Sequence, residues 1–294
     1  MANENMTGLA ALRSGTLSKR AGVTTVGALE RALLKRFPAA TAEAWDRTGL
    51  LVGDPADSLR GVAVALDPTV RAVKAAAEAG ANVLVTHHPA FLEPPVRFRP
   101  AATEPSADGA VVWEAVSRGV ALMSFHTALD VSREAQRVLP GMLGLQFKGV
   151  VERIEEGRGL GYGQTCVPKS SDAPFTLRHL AARCTAVFGR PPRVWGDFDR
   201  VLGTVVTATG SAGDMPQRCL DAGYDCLVCG EVKYHAALSA AEAGLCIIDL
   251  GHDTSELPLC TVLVEALAAA GVPEESITAF EQTDNWAHPE AVRR

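Results

Sequence analysis

The sequence is poor in aromatic residues: they make up 5% of its 294 residues, against 47% hydrophobic residues in all. Ala, Val and Leu must therefore fill the core, which suits helices packed on a sheet of aliphatic strands. Positive charge is not in excess either. Lys and Arg number 28 against 34 Asp and Glu, a net charge of −6. No basic run or stripe stands out, so nucleic acid is not an expected partner. No apolar run approaches the ~18 residues that suggest a membrane span, so no membrane association is expected. The polar, small-residue-rich start lacks the apolar core of a secretory signal, and residues 1–24 read as a loose extension. A phosphate-binding P-loop and a dinucleotide glycine fingerprint are both missing.

Seven cysteines are present. An odd number without a secretory signal points to reduced thiols and a cytoplasmic location. Cys226 and Cys229 form a lone CxxC in an apolar run that reads as a strand. Positions i and i+3 of a strand face opposite sides, so these two are expected to be buried thiols rather than chelators of one ion.

A repeated grammar organises the chain into an α/β fold of two related lobes. A helix with Thr25 as its cap spans Val26 to Arg36. Val62 to Leu66 reads as a strand, Asp67-Pro68 as a helix start and Arg71 to Glu78 as a helix. Ala79-Gly80 ends that helix, and Asn82 to Thr86 is a strand that runs into His87-His88. Further on, Val201 to Thr207 reads as a strand, Gly210 to Gly213 as a turn and Met215 to Asp221 as a helix. Ala222-Gly223 then ends that helix, and Asp225 to Cys229 is a strand that runs into Gly230-Glu231. Two shorter echoes lead from Gly119 to His126 and from Gly244 to His252. All four copies place polar residues just past the carboxyl end of a strand, the edge where open α/β sheets bind ligands. The expected division is a metal-binding lobe from 25–135 and 236–294, with a second lobe from 136–235. The stretch Pro140 to Arg158 reads as the crossing, and Pro168 to Pro174 as a loop.

Three clusters carry chemistry: Thr86-His87-His88-Pro89, Ser124 to Asp130, and Leu250 to Glu256. They offer imidazole and carboxylate without a nearby thiolate, a mixture that suits Zn²⁺, Mn²⁺, Fe²⁺, Ni²⁺ or Co²⁺. At a strand-to-loop turn, His87 and His88 can each point at a different ion. His252 and Glu256 share one face if a helix starts near His252. One of them would ligate, and the other could ligate or bridge. Asp130 is suited to sit between two divalent ions and offset their repulsion. The expected site is therefore a two-metal centre of His87, His88, Asp130, His252 and Glu256. His126 is expected behind it, orienting Asp130, with direct ligation the alternative. Glu231 is a candidate substrate-binding or acid/base group, and an ordinary loop carboxylate otherwise. Asp67 reads as a helix cap. Trp45 reads as a packed residue, with the lining of a cavity by Trp45 and Asp46 as the alternative.

The segments AWDRTGLLVGDP, LDPTVRAVKAAAEAGANVLVTHHPAFL, FHTALD, CGEVKYH and LGHDTSE occur in this order. Over Val26 to Trp286 the sequence resembles the NGG-one-interacting factor three (Nif-three-like) family, also known as GTP cyclohydrolase I type 2 homologues. The resemblance implies two α/β lobes with a dinuclear metal centre between them, whose ligands fall on His87, His88, Asp130, His252 and Glu256. It implies a homohexamer as well, a ring of two facing trimers. Two departures stand out. Ala128 occupies the place of an Asn in the family's His-Thr-Asn-Leu-Asp motif. Gly161-Tyr162-Gly163 replaces a glycine-arginine turn, which removes a basic residue and puts phosphate contact from that turn in question. Longer relatives carry an inserted domain, for which 294 residues leave no room. The implied activity is metal-dependent hydrolysis of a nucleotide or phosphoester. The alternative is a non-catalytic metal-holding or regulatory assembly that acts through protein partners.

Overall fold

A computed structural model describes residues 22–103, 107–155, 159–169, 174–282 and 285–286. Most of the N-terminal extension and the centre of the expected 168–174 loop lie outside the described residues.

The first unit begins with α1 (Val26–Arg36), capped as expected by the Thr25 hydroxyl, which accepts from the Ala28 amide. Next come β1 (Gly49–Val52), β2 (Val62–Ala65), α2 (Val70–Glu78), β3 (Val83–Thr86), α3 (Ala107–Arg118) and β4 (Ala121–Ser124). The strands β2, β3 and β4 are parallel neighbours, and β1 closes the edge antiparallel to β4. After two helices, α4 (Thr127–Asp130) and α5 (Ala135–Met142), a hairpin of β5 (Gln146–Glu155) and β6 (Leu160–Val167) opens the second sheet.

The grammar then repeats. In order come α6 (Leu177–Phe188), β7 (Arg193–Trp195), β8 (Val205–Ser211), α7 (Met215–Asp221), β9 (Cys226–Glu231), α8 (Tyr234–Glu242) and β10 (Cys246–Asp249). Again three parallel strands carry an antiparallel edge strand, β7 on β10. The chain ends its described course in α9 (His252–Glu256), α10 (Leu259–Ala269) and β11 (Ile277–Ala279). The strand orders are β1-β4-β3-β2-β11 and β5-β6-β8-β9-β10-β7.

Both sheets are covered on both faces, which explains their continuous apolar strands. Val62, Val64, Val83 and Val85 pack toward α1 and α10, while Ala63, Ala65 and Leu84 pack toward α2 and α3. In the second sheet Cys226 and Val228 face α5 and α6, and Leu227 and Cys229 face α7 and α8. Cys226 and Cys229 thus lie on opposite faces of one buried strand, as their spacing requires. All seven cysteines are free and buried. Each Val or Leu so buried contributes roughly 1.5–3 kcal/mol relative to leaving it in water.

The two units exchange a helix. After β4, α5 sends Leu139 and Leu143 into the core of the second sheet. After β10, α10 sends Leu259, Leu263 and Leu267 into the core of the first, and β11 adds to β2. The short helices α4 and α9 lie at these two crossings. The pairing of β10 with β9 and β7 keeps the chain in the second sheet until Asp249, so the return comes later than position 236. The stretch Pro140 to Arg158 is likewise not a bare crossing. Pro140 lies inside α5, and most of the remainder forms β5. The strand expected at Val201 to Thr207 is shifted toward the C-terminus because the Asp225 carboxylate gathers the Gly203 and Thr204 amides into a loop. Among the described residues, no helix is long and apolar enough to cross a membrane.

Candidate metal centre

The carboxyl ends of β3, β4 and β10 bring His87, His88, His126, Asp130, His252 and Glu256 to one place. The chain at His87 and His88 still runs in the ladder, their amides donating to the carbonyls of Ala65 and Leu66. Their rings are held by acceptors on the far side. His87 Nδ1 donates to the Phe125 carbonyl at 3.2 Å, and His88 Nδ1 lies 2.7 Å from Asp67 Oδ1. A histidine that ligates a metal is commonly held in this way, with one nitrogen committed and the other presented. Here each presents Nε2 to a different oxygen of one carboxylate. His87 Nε2 is 3.5 Å from Glu256 Oε1, and His88 Nε2 is 3.0 Å from Glu256 Oε2.

The two site helices are counterparts. In α4, Asp130 lies one turn after His126; in α9, Glu256 lies one turn after His252. Asp130 Oδ1 is 3.6 Å from His87 Nε2, and Glu256 Oε2 is 3.1 Å from His252 Nε2. His126 bonds through Nδ1 to Asp46 Oδ1 at 3.1 Å, and it also brings a ring nitrogen within 4.8 Å of those of His87 and His88. Its hydrogen-bond partner is thus Asp46, and it belongs to the cluster itself. Glu231 stands at the outer side, its Oε1 3.7 Å from His252 Nδ1.

Sequence reasoning misread Asp67 and the packing of Trp45 here, and overlooked Gly210 and Gly230. Asp67 is not the cap of α2; the Thr69 hydroxyl takes that role by accepting from the Ala72 amide. Asp67 instead holds His88. It too stands past a carboxyl strand end, beyond β2, and that position was the available signal. Trp45 is not packed inside but 52% exposed, its ring edge-on to His126. Asp46 is the buried neighbour, and its Oδ2 accepts from the Thr127 amide and so fixes the start of α4. Gly210 and Gly230 make room for α9. A Cβ on Gly210, whose φ is +61°, would collide with Glu256 Oε1, and one on Gly230 would collide with the Ser255 hydroxyl. These glycines occupy the places that Asp67 and His87 take in the first unit. The second lobe has given up side chains there to admit Glu256.

The electrostatics follow from burial. Burial raises the Asp130 pKa, only partly offset by the neighbouring imidazoles. Burial also opposes ionisation of Glu256, yet His87, His252 and His88 hold its carboxyl well below the usual range. Burial would lower His88, but the carboxylates of Asp67 and Glu256 on either side of its ring lift it to about 10. His87 is raised against the same burial by Asp130 and Glu256. The carboxylates therefore demand positive charge among them, a demand that divalent cations meet as well as protons do.

Hydrogen bonding fits the same need. Four buried side-chain polar atoms among the described residues lack a hydrogen-bond partner, and three of them are His87 Nε2, Asp130 Oδ1 and Glu256 Oε2. Buried polar atoms are rarely left so. Lone pairs that converge without hydrogen-bond geometry are what a cation satisfies. Two groups of potential ligands, His88/His252/Glu256 and His87/Asp130/Glu256, share Glu256. A cavity of about 610 Å³ opens onto Asp130, His126, His252 and Glu256.

Two lobes joined by exchanged helices, with a buried histidine–carboxylate cluster at their strand ends, define an α/β protein with a candidate metal centre. The chain belongs to the Duf34/NIF3 (NGG1p interacting factor 3) family, whose model matches residues 24–285. A GTP cyclohydrolase 1 type 2 homolog from Streptomyces coelicolor is 31% identical over 234 residues, 76% of this chain and 79% of its own length. One from Clostridium acetobutylicum is 26% identical over 236 residues, covering 79% and 85%. A Bacillus cereus protein related to NIF3 shares the fold with a TM-score of 0.79 at 18% identity, over 92% of this chain and 100% of that one.

Proposed function

We propose that the chain holds two divalent metal ions and uses them for hydrolysis of a phosphoester or a nucleotide. The sharing of Glu256 by two ligand groups carries this reading. His88 and His252 would complete one site, and His87 and Asp130 the other, with Glu256 common to both groups. His126 is positioned to add to the His87/His88 side. Two ions held this way lower the pKa of a bound water and polarise a substrate oxygen. The residues around them do the positioning. Asp67 and the Phe125 carbonyl fix which nitrogen His88 and His87 present. Tyr162, which donates to Glu43 at 3.1 Å, stays a neutral phenol because burial and then the Glu43 charge push its pKa up. Its one proton is given to Glu43, so Tyr162 presents a neutral, accepting oxygen at the cavity wall. Glu231 is the candidate acid/base group, reaching the centre through His252.

The names of the relatives point to a GTP cyclohydrolase-like activity, and the family name points to a protein interaction. A metal-holding assembly without turnover is the second reading, supported by that name. Both readings include a homohexamer, with a solution mass about six times 30.9 kDa. Metal-loaded wild type and His88→Ala should be screened on nucleotides and phosphoesters. Hydrolysis that requires bound metal and falls in the variant supports catalysis. Hydrolysis that survives metal removal contradicts it, and metal binding without turnover favours the assembly.

A further inference from the structure

The cavity over the centre has an unusual charge distribution. Its lining contains Glu43, Glu152 and Asp214 beyond the cluster residues Asp130 and Glu256, and among the described residues it contains no Lys or Arg. The nearest guanidinium to two of these acids, Arg218, is not part of the lining. It is paired with both, 3.2 Å from Glu152 Oε1 and 3.0 Å from Asp214 Oδ2. Tyr162 on the same lining donates to Glu43. At the mouth, Trp45 leaves half of its surface exposed. Glu256, 3% exposed, belongs to this lining, and its Oε2 is buried without a hydrogen-bond partner.

We infer that this cavity takes a compact, planar organic molecule with one electron-rich group at the metal end and an uncharged or cationic remainder. The same geometry disfavours nucleoside polyphosphates. The argument rests on the metal-centre reading above. Metal ions would supply positive charge only at the inner end. A chain of phosphates leaving that end would pass Glu43, Glu152 and Asp214, whose one basic neighbour among the described residues, Arg218, is already shared between two of them, and like charges repel there. A planar ring, by contrast, can lie on the Trp45 indole, and a cationic one gains a further attraction from the ring face.

Three arylphosphonates of nearly equal size test this: phenylphosphonate, its para-aminomethyl derivative and its para-carboxylate. Each offers the same head to the metals and differs only in the charge of its far end. Their binding to the metal-loaded full chain is read by calorimetry, with metal content measured before and after. The expected order is aminomethyl, then unsubstituted, then carboxylate. Each step should be about threefold to fivefold at low ionic strength, the size of one charge contact at a wet rim, and should shrink with added salt. Glu152→Gln combined with Asp214→Asn leaves Arg218 without its carboxylate partners, so the order should flatten or invert while metal content stays unchanged. Carboxylate binding as tight as aminomethyl binding, with metals retained, overturns the charge selectivity and leaves the metal centre standing. Failure to retain metal overturns both. A preference that the double variant leaves intact overturns the assignment to these acids.

Discussion

Asp67 and His88 come from the ends of two adjacent parallel strands, β2 and β3, and meet through Oδ1 and Nδ1 at 2.7 Å. The carboxylate is held in turn from the C-terminal segment. The Asp67 amide donates to Gln282 Oε1, Gln282 Nε2 donates to the Asp67 carbonyl, and Asn285 Nδ2 donates to Asp67 Oδ2. His88 is thus aimed by a residue that is itself held by Gln282 and Asn285, outside the cluster.

Asp67→Asn should therefore weaken metal binding without unfolding the protein. Partners that orient a ligating histidine are typically worth about 10–100-fold in affinity. Competition with a chelating dye measures it. An unchanged affinity would show that Asp67 does not set the His88 ring.

Metal uptake near pH 7.5 should release protons, because a His88 raised to about 10 is protonated in the metal-free chain and neutral when it ligates. Calorimetry in two buffers of different ionisation enthalpy counts them, and at least one per chain is expected. Stability follows the same sign. A folded-state pKa raised from the ordinary 6.5 contributes stability that is fully present below 6.5 and lost as pH rises toward about 10. The melting temperature of the metal-free chain should therefore fall over that window, while the metal-loaded chain changes less. A flat metal-free profile would contradict the assignment.

Gly210→Ala should cost about 1–3 kcal/mol from its left-handed backbone alone. Its Cβ would also push on Glu256 Oε1. The expected outcome is a folded chain of lower melting temperature that has lost metal. Chemical denaturation and elemental analysis check the two effects separately. Wild-type metal content in the variant would show that Glu256 is free to move aside.

Much of this was legible along the chain because the physics is local. Thr25 caps α1, Met215–Asp221 forms a helix, and Cys226 and Cys229 alternate across a strand, all as their neighbours dictate. The cluster was legible because its members share one sheet edge. What escaped depends on distant groups. Asp67-Pro68 reads locally as a helix start, and only the pairing of β2 with β3 puts its carboxylate against His88. The start of β8 depends on Asp225, which binds amides about twenty positions earlier. Trp45 looks like core by composition, yet the cavity mouth exposes it. Gly210 contributes the absence of a side chain, and that has meaning only once α9 is packed on it.

Elemental analysis of the purified chain, after supplementation with divalent metals and removal of excess, tests the dinuclear centre most directly when wild type is compared with Glu256→Gln. Two ions per wild-type chain are expected, with loss of both or of all but one when the shared carboxylate is neutralised. One ion or none in the wild type, or two retained in Glu256→Gln, would contradict a centre bridged by Glu256.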